Sequence, residues 1–209
     1  MPRGTYVHLD DDLTERFQCA PGPGGWRYVG ERADGVRTDL VVDGRWRQIR
    51  VEVVAPSWWL RGGVTGHDLA WVRGPAADGA DGGAARAGGA GEEHGARAVA
   101  FLGESPGFLV AVARTLRLEE GASADVRLVR LVGASLSALT VVQRWRLAGT
   151  ESYDTETGPL PVERYEVTDL ATAETADVHL AGDIVLDAPG IELADLESPP
   201  NLGTSPGPG

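Results

Sequence analysis

The segment 103–107 has the spacing of a serine hydrolase motif. It fits G-x-S-x-G and lies between a predicted strand and a predicted helix, as a nucleophile elbow does. The partners of a triad would follow in the usual chain order, as Asp169 or Asp177 and then His179. The residue after the serine should donate its backbone N–H to the oxyanion hole, and Pro106 has none, at a cost of about 3–4 kcal/mol. We therefore interpret Ser105 as a helix cap and keep a serine hydrolase as an alternative.

The histidines and the cysteine do not form a metal-binding pattern. Neither C-x-x-C nor H-E-x-x-H occurs, and no histidine lies three or four residues from another among His8, His67, His94 and His179. Asp10–Asp12 lack the ligand spacing of a calcium loop. Cys19 is the only cysteine, which excludes an intrachain disulfide and a thiolate cluster. We therefore predict no metal, no cofactor and no catalytic residue.

Tryptophan is the most informative residue type for a binding function, because six tryptophans stand beside only three phenylalanines. Trp58 and Trp59 are adjacent on a predicted strand and must face opposite ways, so this strand has apolar neighbours on both sides or borders a cavity. The predicted ligand wall combines all the tryptophans with three arginines at its rim: Trp26, Trp46, Trp58, Trp59, Trp71, Trp145, Arg47, Arg61 and Arg73. The alternative is that these rings fill the core of a small β protein.

Composition excludes several classes of protein. The chain has 209 residues, of which 42% are hydrophobic, and this suffices for one domain with a sizeable core. A net charge of −12 argues against nucleic acid as a partner, because phosphates require a basic face. No stretch approaches the roughly 18 apolar residues of a membrane span, so we expect a cytoplasmic protein without one. The absence of lysine excludes Schiff-base chemistry and a P-loop lysine.

The negative charge is concentrated in the last third of the chain. From Leu147 onwards there are 13 acidic residues against the single Arg164, whereas the first 146 residues contain 18 acidic residues and 18 arginines. Such a segment is either a solvated face or a surface for a basic partner. A protein-interaction module is therefore a further alternative.

Hydrophobic periodicity predicts a mainly β protein. Apolar and polar residues alternate over 139–147, as in a half-buried strand. Asp43-Gly44 separates alternating runs over 36–42 and 45–54, which predicts a hairpin, and Gly182-Asp183 indicates a second hairpin. Further predicted strands cover 5–9, 26–32, 57–61, 68–73, 97–102, 125–132, 161–168, 175–181 and 183–187.

One segment has helical periodicity. Ser105 at the N-cap and Pro106 at the first helical position predict a helix over about 105–117. One apolar stripe runs along it, formed by Phe108, Leu109, Val112 and Leu116. We expect this helix to pack on the sheet.

Two segments are predicted to lack regular structure. In 74–96, 16 of the 23 residues are glycine or alanine and offer little area to bury. The tail 198–209 is rich in proline and glycine. We therefore predict one β-rich domain over 1–197, with 74–96 as a loop within it; the alternative is that 74–96 is a linker between two domains.

The sequence over 26–73 resembles the glycolipid-binding family. The resemblance rests on Tyr28, Gly30, Val42-Asp43, Trp46-Arg47, Val51, Val53 and Trp71. That family is similar to the bacterial lipoprotein carriers, whose fold is a half-open β-barrel covered by helix. The resemblance implies a protein that binds a hydrophobic ligand without catalysis.

These observations lead to one expected fold and one expected function. The fold is a single curved antiparallel sheet or half-barrel with one helix packed on it. The function is non-catalytic binding of an apolar or amphipathic, lipid-like small molecule, with tryptophan and leucine around its apolar part and arginine at its head group. The sequence leaves the oligomeric state open.

Overall fold

The protein is described here by a computed structural model covering residues 1–22, 24–77, 86–87, 90–155 and 158–202. Its sixteen strands belong to one sheet. The strands are β1 (Arg3–His8), β2 (Leu13–Gly22), β3 (Gly25–Arg32), β4 (Arg37–Asp43), β5 (Gln48–Val54), β6 (Trp58–Thr65), β7 (Asp68–Ala77), β8 (Arg86–Ala87), β9 (Glu92–Ala96), β10 (Ala100–Leu102), β11 (Ser123–Val132), β12 (Ser137–Thr155), β13 (Gly158–Asp169), β14 (Thr175–Ala181), β15 (Ile184–Ala188) and β16 (Ile191–Leu196). The one helix of the described ranges is α1 (Gly107–Leu116).

The two ends of the sheet are not the two ends of the chain. The strand order is β10-β11-β12-β13-β14-β15-β16-β1-β2-β3-β4-β5-β6-β7-β8, and β9 also pairs with β7. Strand β1 therefore lies in the middle of the sheet, between β16 and β2. The sheet is open and curved and is not closed into a barrel. This confirms the expected mainly β architecture with one helix.

One pair of strands differs from the expected antiparallel arrangement. Strands β10 and β11 are parallel. The reason is their connection, because α1 lies between them in the chain and parallel strands require such a crossover.

Helix α1 lies in the hollow of the curved sheet. It contacts β4, β10 and β15, which are far apart in the strand order, so the sheet must bend around it. Gly107 and Phe108 are buried at its start. A Cβ atom at Gly107 would overlap the ring of Tyr28, so glycine at this position allows the helix to lie directly against β3.

The start of the helix differs from the prediction. Helix α1 lies within the predicted span, but Pro106 rather than Ser105 is its N-cap residue, and no side chain caps it. The Ser105 Oγ atom instead lies 2.8 Å from Thr38 Oγ1 on β4. Ser105 is only 6% exposed, so its hydroxyl needs a partner, and the neighbouring strand provides one.

Both predicted hairpins are present. Strands β4 and β5 pair as antiparallel neighbours across the turn that begins with Gly44, and β14 pairs with β15 across Gly182. The φ angle of Gly182 is +57°, a conformation that favours glycine. Four strands were not among the predicted ones, namely β2, β8, β9 and β16.

The two segments expected to lack regular structure are partly ordered. The described residues at the ends of 74–96 lie in strands, because β7 extends to Ala77 and β9 pairs with β7 over Glu92–Ala96. Strand pairing uses only backbone groups, so small side chains do not prevent it. In the tail, the Asn201 N–H donates to Asp183 Oδ1 at 2.8 Å. Residues 78–85, 88–89 and 203–209 lie outside the described part.

In the described ranges, no helix has the length and apolarity that crossing a bilayer would require. The cytoplasmic location and the absence of nucleic-acid partners stay predictions.

A buried glutamine joins the end strand β10 to β5. The Gln48 side chain is fully buried. Its Oε1 atom accepts the Phe101 N–H at 2.7 Å, and its Nε2 donates to the Phe101 carbonyl at 3.0 Å. These bonds replace the strand neighbour that β10 lacks on this side.

We predict that Gln48→Leu lowers the free energy of unfolding by about 2–4 kcal/mol, because both backbone groups of Phe101 would be buried without a partner. Gln18→Leu is the matched control, since Gln18 is exposed, and it should change stability by less than about 0.5 kcal/mol. Urea unfolding of the two variants measures the difference, and equal midpoints would contradict the assigned role of Gln48.

Candidate functional site

An open cleft of about 620 Å³ lies between α1 and the strands β11 to β14. We call it the ligand cleft. Its position follows from the fold, because α1 occupies the hollow of the sheet only in part. Its apolar wall is formed by Leu102, Leu109, Leu131, Trp145, Val167, Val178 and Ile191.

Two buried polar side chains interrupt this apolar wall. His8 on β1 and Gln143 on β12 are each 6% exposed. The Gln143 Oε1 atom accepts the Trp145 Nε1–H at 3.1 Å, which leaves the amide nitrogen of Gln143 as a further donor. His8 Nε2 lies 2.9 Å from Glu15 Oε2, so Nδ1 is the ring nitrogen left for another partner. The pair can orient a polar group of a bound molecule.

Glu15 holds His8 in place from within the core. Its side chain is 1% exposed, and its Oε1 atom accepts the Tyr28 hydroxyl at 2.7 Å. Gly30 makes room for the carboxylate, because a Cβ atom there would overlap Glu15 Oε1. Burial, together with the charge of Glu15, raises the pKa of Tyr28 well above its ordinary value. The phenol therefore stays protonated at neutral pH and remains a donor.

Charged side chains surround the opening of the ligand cleft. Arg32 binds both Asp34 and Glu104, and its pKa is raised, chiefly by the hydrogen bond to Asp34. Arg130 Nη2 lies 3.3 Å from Asp169 Oδ2. The rim has more acidic than basic side chains, namely Asp10, Asp11, Glu104, Asp169 and Glu174 against Arg32 and Arg130.

Of the six tryptophans predicted to form a ligand wall, only Trp145 lines the ligand cleft. Its ring is fully buried and lies edge-on to Tyr165, with 5.9 Å between the ring centroids.

Trp26 and Trp46 form a pair elsewhere in the core. Their ring centroids are 5.4 Å apart. Trp26 Nε1 donates to Asp183 Oδ2 at 3.1 Å, and the same carboxylate accepts the Asn201 side-chain amide at 2.7 Å. Trp26 therefore helps to hold the segment that follows β16 against the sheet.

The remaining three tryptophans lie on β6 and β7. The Arg73 guanidinium stands 3.9 Å above the Trp58 ring, and the Arg61 guanidinium lies 5.8 Å from the Trp59 ring. Trp71 is edge-on to a ring of β10, that of Phe101, at 5.7 Å. These contacts belong to the packing of β6 and β7 rather than to a ligand wall.

The predicted rim arginines are also separate from the ligand cleft. Arg61 binds Glu52 at 2.9 Å, and Arg73 Nε donates to the Ser135 carbonyl at 2.8 Å. Arg47 lines another cleft, to which Trp145 does not contribute. The structure therefore does not bring the predicted site residues together on one surface.

The hydrolase motif does not have the geometry of a catalytic triad. Ser105 Oγ bonds with Thr38, and the described bonds of this hydroxyl include none to a histidine. His179 Nδ1 instead lies 3.5 Å from Asp187 Oδ2. Over the described ranges, no three metal-ligating side chains come together.

The sequence interpretation did not select His8, Glu15 or Gln143. A signal for Glu15 was present, since Glu15, Phe17 and Cys19 alternate along one face of β2. A charged residue at a core-facing position of a strand marks either a partner or a site.

Comparison with known proteins gives a likeness of fold only. No protein-family model matches this sequence, and no curated protein matches it. The crystal structure of a DUF1089 family protein from Pseudomonas aeruginosa is similar over 90% of each chain, with 17% identity and a TM-score of 0.50. At this identity the likeness concerns the fold and not the function. The resemblance to the glycolipid-binding family stays a prediction.

We predict that Tyr28→Phe lowers the free energy of unfolding by about 1.5–3 kcal/mol, because the buried Glu15 carboxylate loses a donor. Tyr153→Phe removes the same atom from an exposed tyrosine that bonds to Glu151, and it should have an effect below about 0.5 kcal/mol. Urea unfolding at pH 7 compares the two variants. A Tyr28→Phe protein as stable as the Tyr153→Phe protein would show that Glu15 does not depend on this bond.

Proposed function

We propose that this protein binds an amphipathic small molecule in the ligand cleft and catalyses no reaction on it. The observation that supports this is an apolar cleft with only two buried polar side chains, His8 and Gln143, in its wall. Small-molecule sites have this composition, because apolar surface supplies affinity and a few polar groups fix the orientation.

The size and shape of the ligand cleft suit a single small ligand. Its volume of about 620 Å³ lies within the usual range for such sites, roughly 300–1,000 Å³. The apolar part of the ligand lies against Leu109 and Val167, which are partly exposed, and the polar end lies at the rim. Rigid strands supply most of the wall, which favours a preformed site.

The charges at the rim indicate which head group the ligand carries. Arg32 and Arg130 are already paired with carboxylates, and the remaining acidic side chains leave the opening negative. An anionic head group would be repelled, whereas an uncharged or cationic one would not. This revises the expectation that arginine contacts the head group.

The test uses 1-lauroylglycerol, laurate and dodecyltrimethylammonium below their micellar concentrations, with isothermal titration. We predict saturable binding of 1-lauroylglycerol at one site, and at least tenfold weaker binding of laurate because of the acidic rim. Val167→Trp places a large ring in the ligand cleft and should weaken the binding of 1-lauroylglycerol at least tenfold.

Val29→Trp is the matched control, because Val29 is 40% exposed and lies outside the cleft; it should bind as the unchanged protein does. Fluorescence gives a second measurement: Trp145→Phe should remove the change on binding, whereas Trp58→Phe should retain it. Binding that is absent, or equal in the two Val→Trp variants, would refute the proposal.

A further inference from the structure

A second cleft, of about 700 Å³, lies near the turn between β6 and β7 and near the C-terminal end of α1. We call it the basic cleft. Four basic side chains line it, namely Arg47, His67, Arg97 and Arg127. Its apolar side chains include Val64 and Val142. All four basic side chains are exposed.

Arg97 and Arg127 carry positive charge that no carboxylate of the described residues neutralises, unlike Arg47. Arg47 binds Asp43, with 2.8 Å between Arg47 Nε and Asp43 Oδ2. Asp125, the acidic residue lining the basic cleft, is held by Arg144 through two bonds of 2.7 and 2.9 Å. Neither Arg97 nor Arg127 forms an ion pair with a carboxylate of the described residues. Because both guanidinium groups line the same cleft, their positive charge adds up there, although the protein has a net charge of −12.

The backbone brings these two arginines to the same place. The Val99 N–H donates to the Arg127 carbonyl at 2.8 Å, so the segment that contains Arg97 runs beside β11. Two like charges lining one cleft repel each other unless an anion lies between them. Guanidinium groups also match the geometry of a carboxylate or a phosphate, because each can donate two parallel bonds.

Apolar side chains lie next to this positive charge. Val99 lines the basic cleft with 42% of its surface exposed, and Val142 lies opposite Arg127 on the neighbouring strand. A bare inorganic ion would leave these side chains in water, whereas an anion with a short hydrocarbon part would cover them.

We propose that the basic cleft binds an organic anion, a carboxylate or phosphate on a short hydrocarbon chain. The anionic group lies between Arg97 and Arg127, and the hydrocarbon part lies against Val99 and Val142. This site is separate from the ligand cleft, whose rim has the opposite charge. The inference does not depend on the function proposed for that cleft.

The experiment titrates ¹⁵N-labelled protein with hexyl phosphate and with hexanoate, following backbone amides by NMR. We expect saturable shifts at Val99 and Val142 with both anions, and no shift there with hexylammonium. Inorganic phosphate should bind at least fivefold more weakly than hexyl phosphate, because it does not cover the apolar side chains. Shifts confined to Val167 and Val178 would place the anions in the ligand cleft and would overturn the proposal.

The double variant Arg97→Gln/Arg127→Gln should bind hexyl phosphate at least tenfold more weakly. Its control is Arg16→Gln/Arg45→Gln, which removes the same charge from two exposed arginines outside the basic cleft and should bind within twofold of the unchanged protein. Equal binding by the two double variants, or no saturable shift in the unchanged protein, would overturn the proposal. The titration of the unchanged protein tests anion binding in the basic cleft even if a variant fails to fold.

Discussion

The bonds between Gln48 and Phe101 are the constraint on which the arrangement of the molecule depends. They hold the short strand β10 against β5 without a backbone ladder, so the end of the sheet stays fixed although the sheet is open. Both clefts border β10. The residues just before it, Arg97 to Val99, line the basic cleft, and the residues from Leu102 to Glu104 line the ligand cleft. The buried amide of Gln48 therefore helps to fix β10, and the residues on either side of β10 line the two clefts.

The two clefts have opposite charge because the chain distributes its charges unevenly. Every residue that lines the basic cleft belongs to the first 146 residues, in which arginines and acidic residues are balanced. Part of the acidic rim of the ligand cleft comes from the acidic last third, through Asp169 and Glu174. The acidic last third of the chain thus contributes to the rim of the ligand cleft. The difference in charge favours separate ligands, since the acidic rim of the ligand cleft repels the anion that the basic cleft is proposed to bind.

Local sequence patterns predicted most of the strands and the helix, but they did not predict which distant residues contact each other. Alternation and the Asp43-Gly44 turn predicted β4 and β5, and apolar spacing predicted α1, because both signals are local. Strand β2 was missed because Glu15 faces the core, where the alternation rule expects an apolar residue. The tryptophans do not share one surface, because several of their packing partners come from distant parts of the chain. Trp26 meets Asp183 across 157 positions, which no local pattern indicates.

The polar groups in the core make physical sense only in relation to the ligand cleft. Placing the carboxylate of Glu15 beside Tyr28 and His8 requires the removal of water from all three. Replacement of such buried polar groups by apolar residues of similar volume is often neutral or stabilising in proteins. The network also requires glycine at position 30, where a side chain would displace the carboxylate. What it provides is a fixed imidazole in the wall of the ligand cleft, with one ring nitrogen already engaged. A fixed donor or acceptor orients a ligand at a smaller loss of entropy than a mobile one does, which is the use that the proposed binding function gives it.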